Sequence, residues 1–271
     1  MELFYRKSGS GKPLVILHGL YGSSDNWMSI ARKLAGNFEV YLVDLRNHGK
    51  SPHDDRHDYE SMRDDLLDFM DQEQLETAVI AGHSMGGKAA MCFARHHVAR
   101  IERLIIVDIA PKSYKSTYRG QSPNHFDILK AMQDIDFSDV SSRRDVDRLL
   151  APTIKQPRIR AFLLKNLEKG DDNKYSWSLN LGVLLRELDN IMDGINEKCF
   201  DPESPVNEFP VLFIRGENSP YILDEDMNFI RKIFPLATLE TIPDAGHWLH
   251  AEQPEAFTGL VRKFASGANG G

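Results

Sequence analysis

Residues 78–91 read AVIAGHSMGGKAAM. An apolar run ends in a glycine, and a helix-forming run begins directly after a serine. Gly82, Ser84 and Gly86 stand in the pattern G-x-S-x-G. On a sharp strand-to-helix turn this spacing lifts the serine hydroxyl above the end of a sheet. Glycines two places before and after remove the Cβ atoms that would collide there, and the helix N-terminus favours negative charge developing beside it. The pattern alone is weak, because glycine and serine are common residues. Its place between an apolar run and a helix makes Ser84 a candidate nucleophile; the bland alternative is a glycine-rich packing turn.

A second apolar run, in LVILHGLYG (14–22), enters another tight glycine turn. Attack on an acyl carbon builds an oxyanion that needs two preorganised N–H donors. The backbone amides of Met85, directly after the serine, and of Leu20, in this loop, are the expected pair. His18 reads as a loop-shaping histidine bonded to backbone. The chain holds ten histidines, so position must choose the base. PDAGHWLHAEQPEAF follows the last apolar run, TLETI (238–242). His247 lies there, in the loop between the last strand and the last helix, and an ordinary imidazole pKa near ~6.5 suits a base at neutral pH. His250, three residues on, is a decoy that belongs to the start of the helix.

These groups need a scaffold. Residues 3–5, 14–18, 40–44, 78–82, 104–108, 211–215 and 238–242 are short runs, mostly of Val, Ile and Leu, as in strands buried on both faces of a mostly parallel sheet. Helical patterns at 26–35, 59–71, 86–97, 224–233 and 254–265 alternate with them. The alternation predicts an α/β fold with a doubly wound, mostly parallel sheet. Residues 111–202 break the rhythm. That stretch shows no convincing strand and carries helical patterns at 125–132, 159–167 and 181–192, with Pro111 before them and Pro202 and Pro205 after. A plain loop of this length is excluded, so a helical cap over 111–202 is expected, inserted into a core made of 1–110 and 203–271.

The bulk properties narrow the function. The chain has 271 residues, of which 41% are hydrophobic, and a formal net charge of −7. The acidic balance argues against a nucleic-acid partner. No run approaches the ~18 apolar residues of a membrane span, and the start MELFYRK lacks the pattern of a signal peptide. Cys92 and Cys199 stand far apart with no CxxC motif, so reduced cysteines in a cytoplasmic protein are expected, with Cys92 a small core residue. No histidine pair has metal-ligand spacing and no glycine loop fits a nucleotide phosphate, so no cofactor is expected. Asp44, His48 and Lys88 read as structural or solvated, and the tail SGANGG as unstructured.

HGLYGS (18–23), DLRNHGKS (44–51), GHSMGGKA (82–89), VDIAP (107–111), GENSPY (216–221) and GHWLHAE (246–252) together resemble the α/β-hydrolase family, and the YbfF-type esterases in particular. The match spans the whole chain. It implies an esterase with a helical cap, acting on acyl esters and on thioesters such as acyl-CoA. It leaves open the acyl group and the oligomeric state. The family usually carries its catalytic acid in the loop that is GENSPY here, and Ser219 stands in that place. Glu217 lies close to the strand end, and Asp224 and Asp226 read as charges at the start of the next helix. The other candidate is Asp108, at the carboxyl end of LIIVD, where active-site groups of open α/β sheets gather. Some relatives, certain haloalkane dehalogenases among them, carry the acid one strand early. The expected triad is therefore Ser84, Asp108 and His247, with Ser219 as a supporting residue; an acid at Asp224, or none, stays open. A carbon–carbon bond hydrolase and a slow-turnover small-molecule receptor remain as other readings of the same fold. Dehalogenation itself would need an aspartate in place of Ser84.

Overall fold

The computed structural model describes residues 1–116, 124–194 and 205–267. Cys199, Pro202 and tail residues 268–271 lie outside the described residues. In chain order the strands are β1 (Tyr5–Gly9), β2 (Lys12–Leu17), β3 (Phe38–Val43), β4 (Ala78–His83), β5 (Ile101–Val107), β6 (Leu167–Lys169), β7 (Tyr175–Trp177), β8 (Val211–Gly216) and β9 (Ala237–Ile242). Seven of them form one sheet in the order β1-β3-β2-β4-β5-β8-β9. It is parallel throughout except for β1, which runs antiparallel to β3 at one edge. The pattern placed the first strand at 3–5, too early. YRKSG is mostly polar because an edge strand needs no apolar face on its outer side.

The apolar runs of the inner strands divide between two layers, since successive side chains point to opposite faces. Val15, Leu17, Ile80, Leu104, Ile106 and Phe213 face α2 (Tyr59–Gln72), α3 (Met85–His96) and a later helix over Asp226–Ile233. Leu14, Ile16, Val79, Ala81, Ile105 and Leu212 face α1 (Met28–Leu34) and the last helix, Pro254–Ala265. Burial on both faces is why these strands read as continuous Val, Ile and Leu.

Register is what serves the site. Leu17 pairs with Gly82, His83 with Val107, Val107 with Ile214, and Gly216 with Ile242. The strands therefore end level, and the turns after β2, β4, β5, β8 and β9 meet at one rim. The ladder continues into those turns: Ser84 N–H donates to the Val107 carbonyl at 3.0 Å, and Asp108 N–H to the Ile214 carbonyl at 2.8 Å.

Between β5 and β8 the described residues add nothing to this sheet. They form α4 (His125–Gln133), α5 (Arg143–Leu150), α6 (Pro157–Leu163), α7 (Leu181–Arg186) and α8 (Leu188–Met192), and the separate hairpin β6–β7. Three details differ from the sequence reading. The helix expected to reach 167 stops at Leu163, and Leu167 starts β6, opposite Trp177. The helix expected over 181–192 is broken at Glu187. α5 was not foreseen, although Ser142 and Asp145 form a capping box at its start. Core loops hold the segment: Asn166 Nδ2 donates to the Tyr21 carbonyl at 2.8 Å, and Asn180 Nδ2 to Asn47 Oδ1 at 3.0 Å. The helices that follow are α9 (Asp226–Ile233), α10 (Leu249–Glu252) and α11 (Pro254–Ala265). Among the described residues no helix is long and apolar enough to cross a membrane. Cys92 is fully buried on α3, as expected, but it is disulfide-bonded and not the reduced residue of the sequence reading.

Buried histidines tie stability to pH. Desolvation pushes His57 and His250 down to about 3, from 6.5 in the open chain. The folded form keeps both rings neutral while the unfolded chain takes up protons below about pH 6.5. Stability should therefore fall as the pH drops from 6.5 toward 3, by up to ~1.4 kcal/mol per pH unit for each ring. Urea unfolding at pH 7 and pH 5 measures the slope, and His250→Phe should reduce it by about one proton. An unchanged slope would assign the acid sensitivity to other groups.

Candidate active site

Ser84 sits between β4 and α3 with φ 53° and ψ −119°, a left-handed conformation that costs a non-glycine residue energy. The two glycines make it sterically feasible. A Cβ on Gly82 would lie 2.3 Å from the Gly86 carbonyl oxygen, and one on Gly86 would lie 2.4 Å from the His18 carbonyl oxygen. The first helical turn leaves the Met85 amide without an intrahelical partner. Leu20 lies in the loop after β2, which folds back through Gly22 N–H donating to the Gly19 carbonyl at 2.9 Å.

Asp108 directly follows β5, also with positive φ, 53°, and it is 0% exposed. A carboxylate so buried must be well supplied with donors. Oδ1 accepts the Gly216 N–H at 3.2 Å, while Oδ2 accepts the Ser219 hydroxyl and the His247 Nδ1–H, the latter at 2.7 Å. Asp108, Ser219 and His247 are thus brought together. The carboxylate fixes the histidine tautomer with the proton on Nδ1, which leaves Nε2 as the acceptor. Asp224 lies elsewhere: it is 88% exposed and pairs with Arg215 at 2.7 Å. Glu217 accepts the Asp244 N–H at 3.0 Å.

A cavity of about 210 Å³ joins the rest. Ser84, His247 and Leu20 all line it, and the segment between β5 and β8 supplies an apolar wall of Ile128, Ile159, Phe162 and Leu163. Chemically, the arrangement offers a hydroxyl at a helix N-terminus and an oriented imidazole on one apolar cavity, with Leu20 on the same lining; Met85 lines a smaller neighbouring cleft together with Leu20 and Ser84. That set suits attack on a carbonyl carbon.

The other histidines fall into supporting positions. His18 is buried; its Nε2 accepts the Leu45 N–H at 2.9 Å and its Nδ1–H donates to the Gly19 carbonyl at 2.9 Å. Burial lowers its pKa, consistent with a neutral, loop-shaping ring. His250 is stacked on Trp27 at 3.9 Å and 10°. Asp44 accepts backbone N–H groups of Ser24 and Lys50, a structural role. His48 and Lys88 are buried, which removes the solvated reading for both. The Lys88 ammonium donates to the Asp193 carbonyl and lies 4.9 Å from the Tyr114 ring centre, and desolvation pushes its pKa down to about 7. Among the described residues no group of three or more His, Cys, Asp or Glu side chains is placed to hold a metal ion.

Two contacts were not legible in the sequence. The Tyr221 ring stacks on His247 at 4.0 Å and 21°. His83 Nε2–H donates to the His247 carbonyl at 2.9 Å. The clue to each was its neighbour: Tyr221 shares the GENSPY turn with Ser219, and His83 precedes Ser84.

Known proteins are similar to this chain in sequence and fold. The family profile described as alpha/beta hydrolase fold covers residues 12–254. The sn-1-specific diacylglycerol lipase ABHD11 of Xenopus laevis is 38% identical over 270 residues, covering 97% of this chain and 83% of that protein. Esterase YbfF of Escherichia coli K12 is 34% identical over 255 residues, covering 94% of this chain and 93% of its own. A solved marine microorganism esterase is 48% identical, with a TM-score of 0.91 over 97% of this chain and 99% of that one.

The Asp108–His247 contact makes a prediction that needs no substrate. The shared Nδ1 proton should give an isolated low-field NMR resonance, because a short charge-assisted bond deshields it and burial of the carboxylate protects it. Asp108→Asn should abolish that resonance and Asp224→Asn should leave it in place. The opposite pattern would remove Asp108 as the partner of the histidine.

Proposed function

The chain belongs to the α/β-hydrolase fold family, and on that footing we propose that it hydrolyses carboxylic esters through an acyl-enzyme on Ser84. It is a hydrolase of the esterase and lipase type, as its relatives are named. The observation that carries the finer reading is the buried carboxylate of Asp108 at 2.7 Å from Nδ1 of His247, with His247 and Ser84 on one cavity. In this reading His247 Nε2 takes the Ser84 proton as Oγ attacks the acyl carbon. The oxyanion is received by the amides of Leu20 and Met85. The tetrahedral species collapses, the alcohol leaves with the proton from His247, and the acyl group stays on Ser84. Water then attacks with the same histidine as base, and the free acid departs. Asp108 holds the tautomer and stabilises the imidazolium; Ser219 keeps the carboxylate in place.

Residues 111–202 act as the cap in this proposal, and its wall of Ile128, Ile159, Phe162 and Leu163 is the reason to expect an apolar acyl or alcohol arm. A thioester of the same acyl group presents the same carbon, so acyl-CoA belongs to the substrate class. The names of the relatives favour ester cleavage over carbon–carbon cleavage or a receptor that keeps the triad without turnover.

Ser84→Ala should lower kcat by about 10⁶ and abolish labelling by a fluorophosphonate, with little change in unfolding temperature. Turnover above about 1% of wild type would assign the nucleophile elsewhere. On one short p-nitrophenyl ester, Asp108→Asn should cost ~10⁴ in kcat, Ser219→Ala ~10- to 100-fold, and Asp224→Asn or Glu217→Gln less than ~10-fold. A crippled Asp224→Asn beside a near-normal Asp108→Asn would sink the proposed triad.

Each buried CH₂ contributes ~0.8 kcal/mol, so activity on a series of p-nitrophenyl esters should climb with acyl length and then break off where the cavity ends. A flat profile from acetyl to palmitoyl would show that no closed wall receives the chain.

A further inference from the structure

Glu252, the last residue of α10, divides its two carboxylate oxygens between different parts of the molecule. Oε2 accepts the Gly246 N–H at 2.5 Å, and Gly246 is the residue before His247. Oε1 stands 2.7 Å from Nη2 of Arg158, and Arg158 belongs to α6, the helix whose Ile159, Phe162 and Leu163 line the cavity. The same helix reaches the residue on the other side of His247. Phe162 packs on Trp248 with ring centres 5.1 Å apart, and the Arg158 guanidinium lies 5.5 Å from the Trp248 ring centre.

His247 is therefore held on several sides. Asp108 and Tyr221 hold its ring, and His83 holds its carbonyl. The peptide before it depends on Glu252. The Gly246 carbonyl packs directly on Gly216, where any Cβ would lie 2.3 Å from its oxygen. We propose that Glu252 is a positioning residue for His247, and that through Arg158 it couples the placement of the histidine to the seating of α6 over the cavity. The inference rests on the proposed reaction, in which His247 is the base.

The two halves of the contact differ in strength. A carboxylate accepting a backbone N–H in a half-buried place makes a strong charge-assisted bond. Arg158 is 61% exposed, and an ion pair that open contributes little to stability. A purely structural role would thus put almost nothing on Arg158. The coupling role instead puts a substrate-dependent effect there, because only an ester long enough to press on α6 feels how that helix is seated.

The test is steady-state kinetics on p-nitrophenyl acetate and p-nitrophenyl octanoate, with active sites counted by fluorophosphonate labelling. Glu252→Ala should lower kcat on both esters by ~10- to 100-fold with KM within ~3-fold, since a displaced base weakens the transition state rather than ground-state binding. Glu252→Gln keeps an oxygen for the Gly246 N–H and loses the ion pair, so it should restore acetate kcat to within ~3-fold and leave octanoate kcat ~5- to 10-fold low. Arg158→Met should reproduce that split, and the double variant should be no worse than either single one. Wild-type kcat in labelled Glu252→Ala would overturn the positioning role while leaving the ester reading intact. Equal losses on the two esters in Arg158→Met, or additive losses in the double variant, would overturn the coupling. If Glu252→Ala does not fold, the Gln and Met variants decide. A wild-type chain that is neither labelled nor active would overturn the ester reading and this inference with it.

Discussion

A single buried charge organises the rim of the sheet. Asp108 has no exposed surface, and an ionised carboxylate without water must find its donors in the protein. It takes one from the backbone of β8 at Gly216, one from the turn after β8 at Ser219, and one from the loop after β9 at His247. The end of β8 with its turn and the loop after β9 are thereby forced to agree on one position past the end of β5. If either of them moved, it would leave the charge short of a partner, so the contacts that satisfy Asp108 also fix where the imidazole stands.

That arrangement is available only because the sheet delivers its strand ends level. Parallel pairing through β2, β4, β5, β8 and β9 is stabilised by burial on both faces. The strain of the rim, positive φ at Ser84, Asp108 and Asp244, is supported by this layered core. The local energy cost is small beside the apolar burial beneath it. The charge and the strain belong to the loops, whereas the stability that tolerates them belongs to the strands.

The same division explains what the sequence disclosed. The inner strands were legible because burial on both faces leaves uninterrupted Val, Ile and Leu. β1 was misplaced because its outer side needs no apolar residues. The contact between Asp108 and His247 could be anticipated from strand ends, since a residue just past β5 and a loop just past β9 must lie at the same rim. Tyr221, His83 and Glu252 could not be, because their contacts depend on loop conformations that no periodicity encodes. The hairpin LEKGDDNKYSW was hidden for another reason: each of its strands is three residues long, too short to show a period of two. The break at Glu187 was equally silent, as glutamate is a good helix former.

Strand β8 finds its place beside β5, with Val107 opposite Ile214, and all of the helical segment lies between these partners. The entropy of closing such a span grows only with the logarithm of its length, so doubling it would add ~0.6 kcal/mol. The sheet is therefore nearly indifferent to what intervenes. Over evolutionary time the intervening stretch is free to be lengthened, trimmed or exchanged while the rim stays as it is. The rim and the apolar wall of Ile128, Ile159, Phe162 and Leu163 are thus carried on separate stretches of one chain.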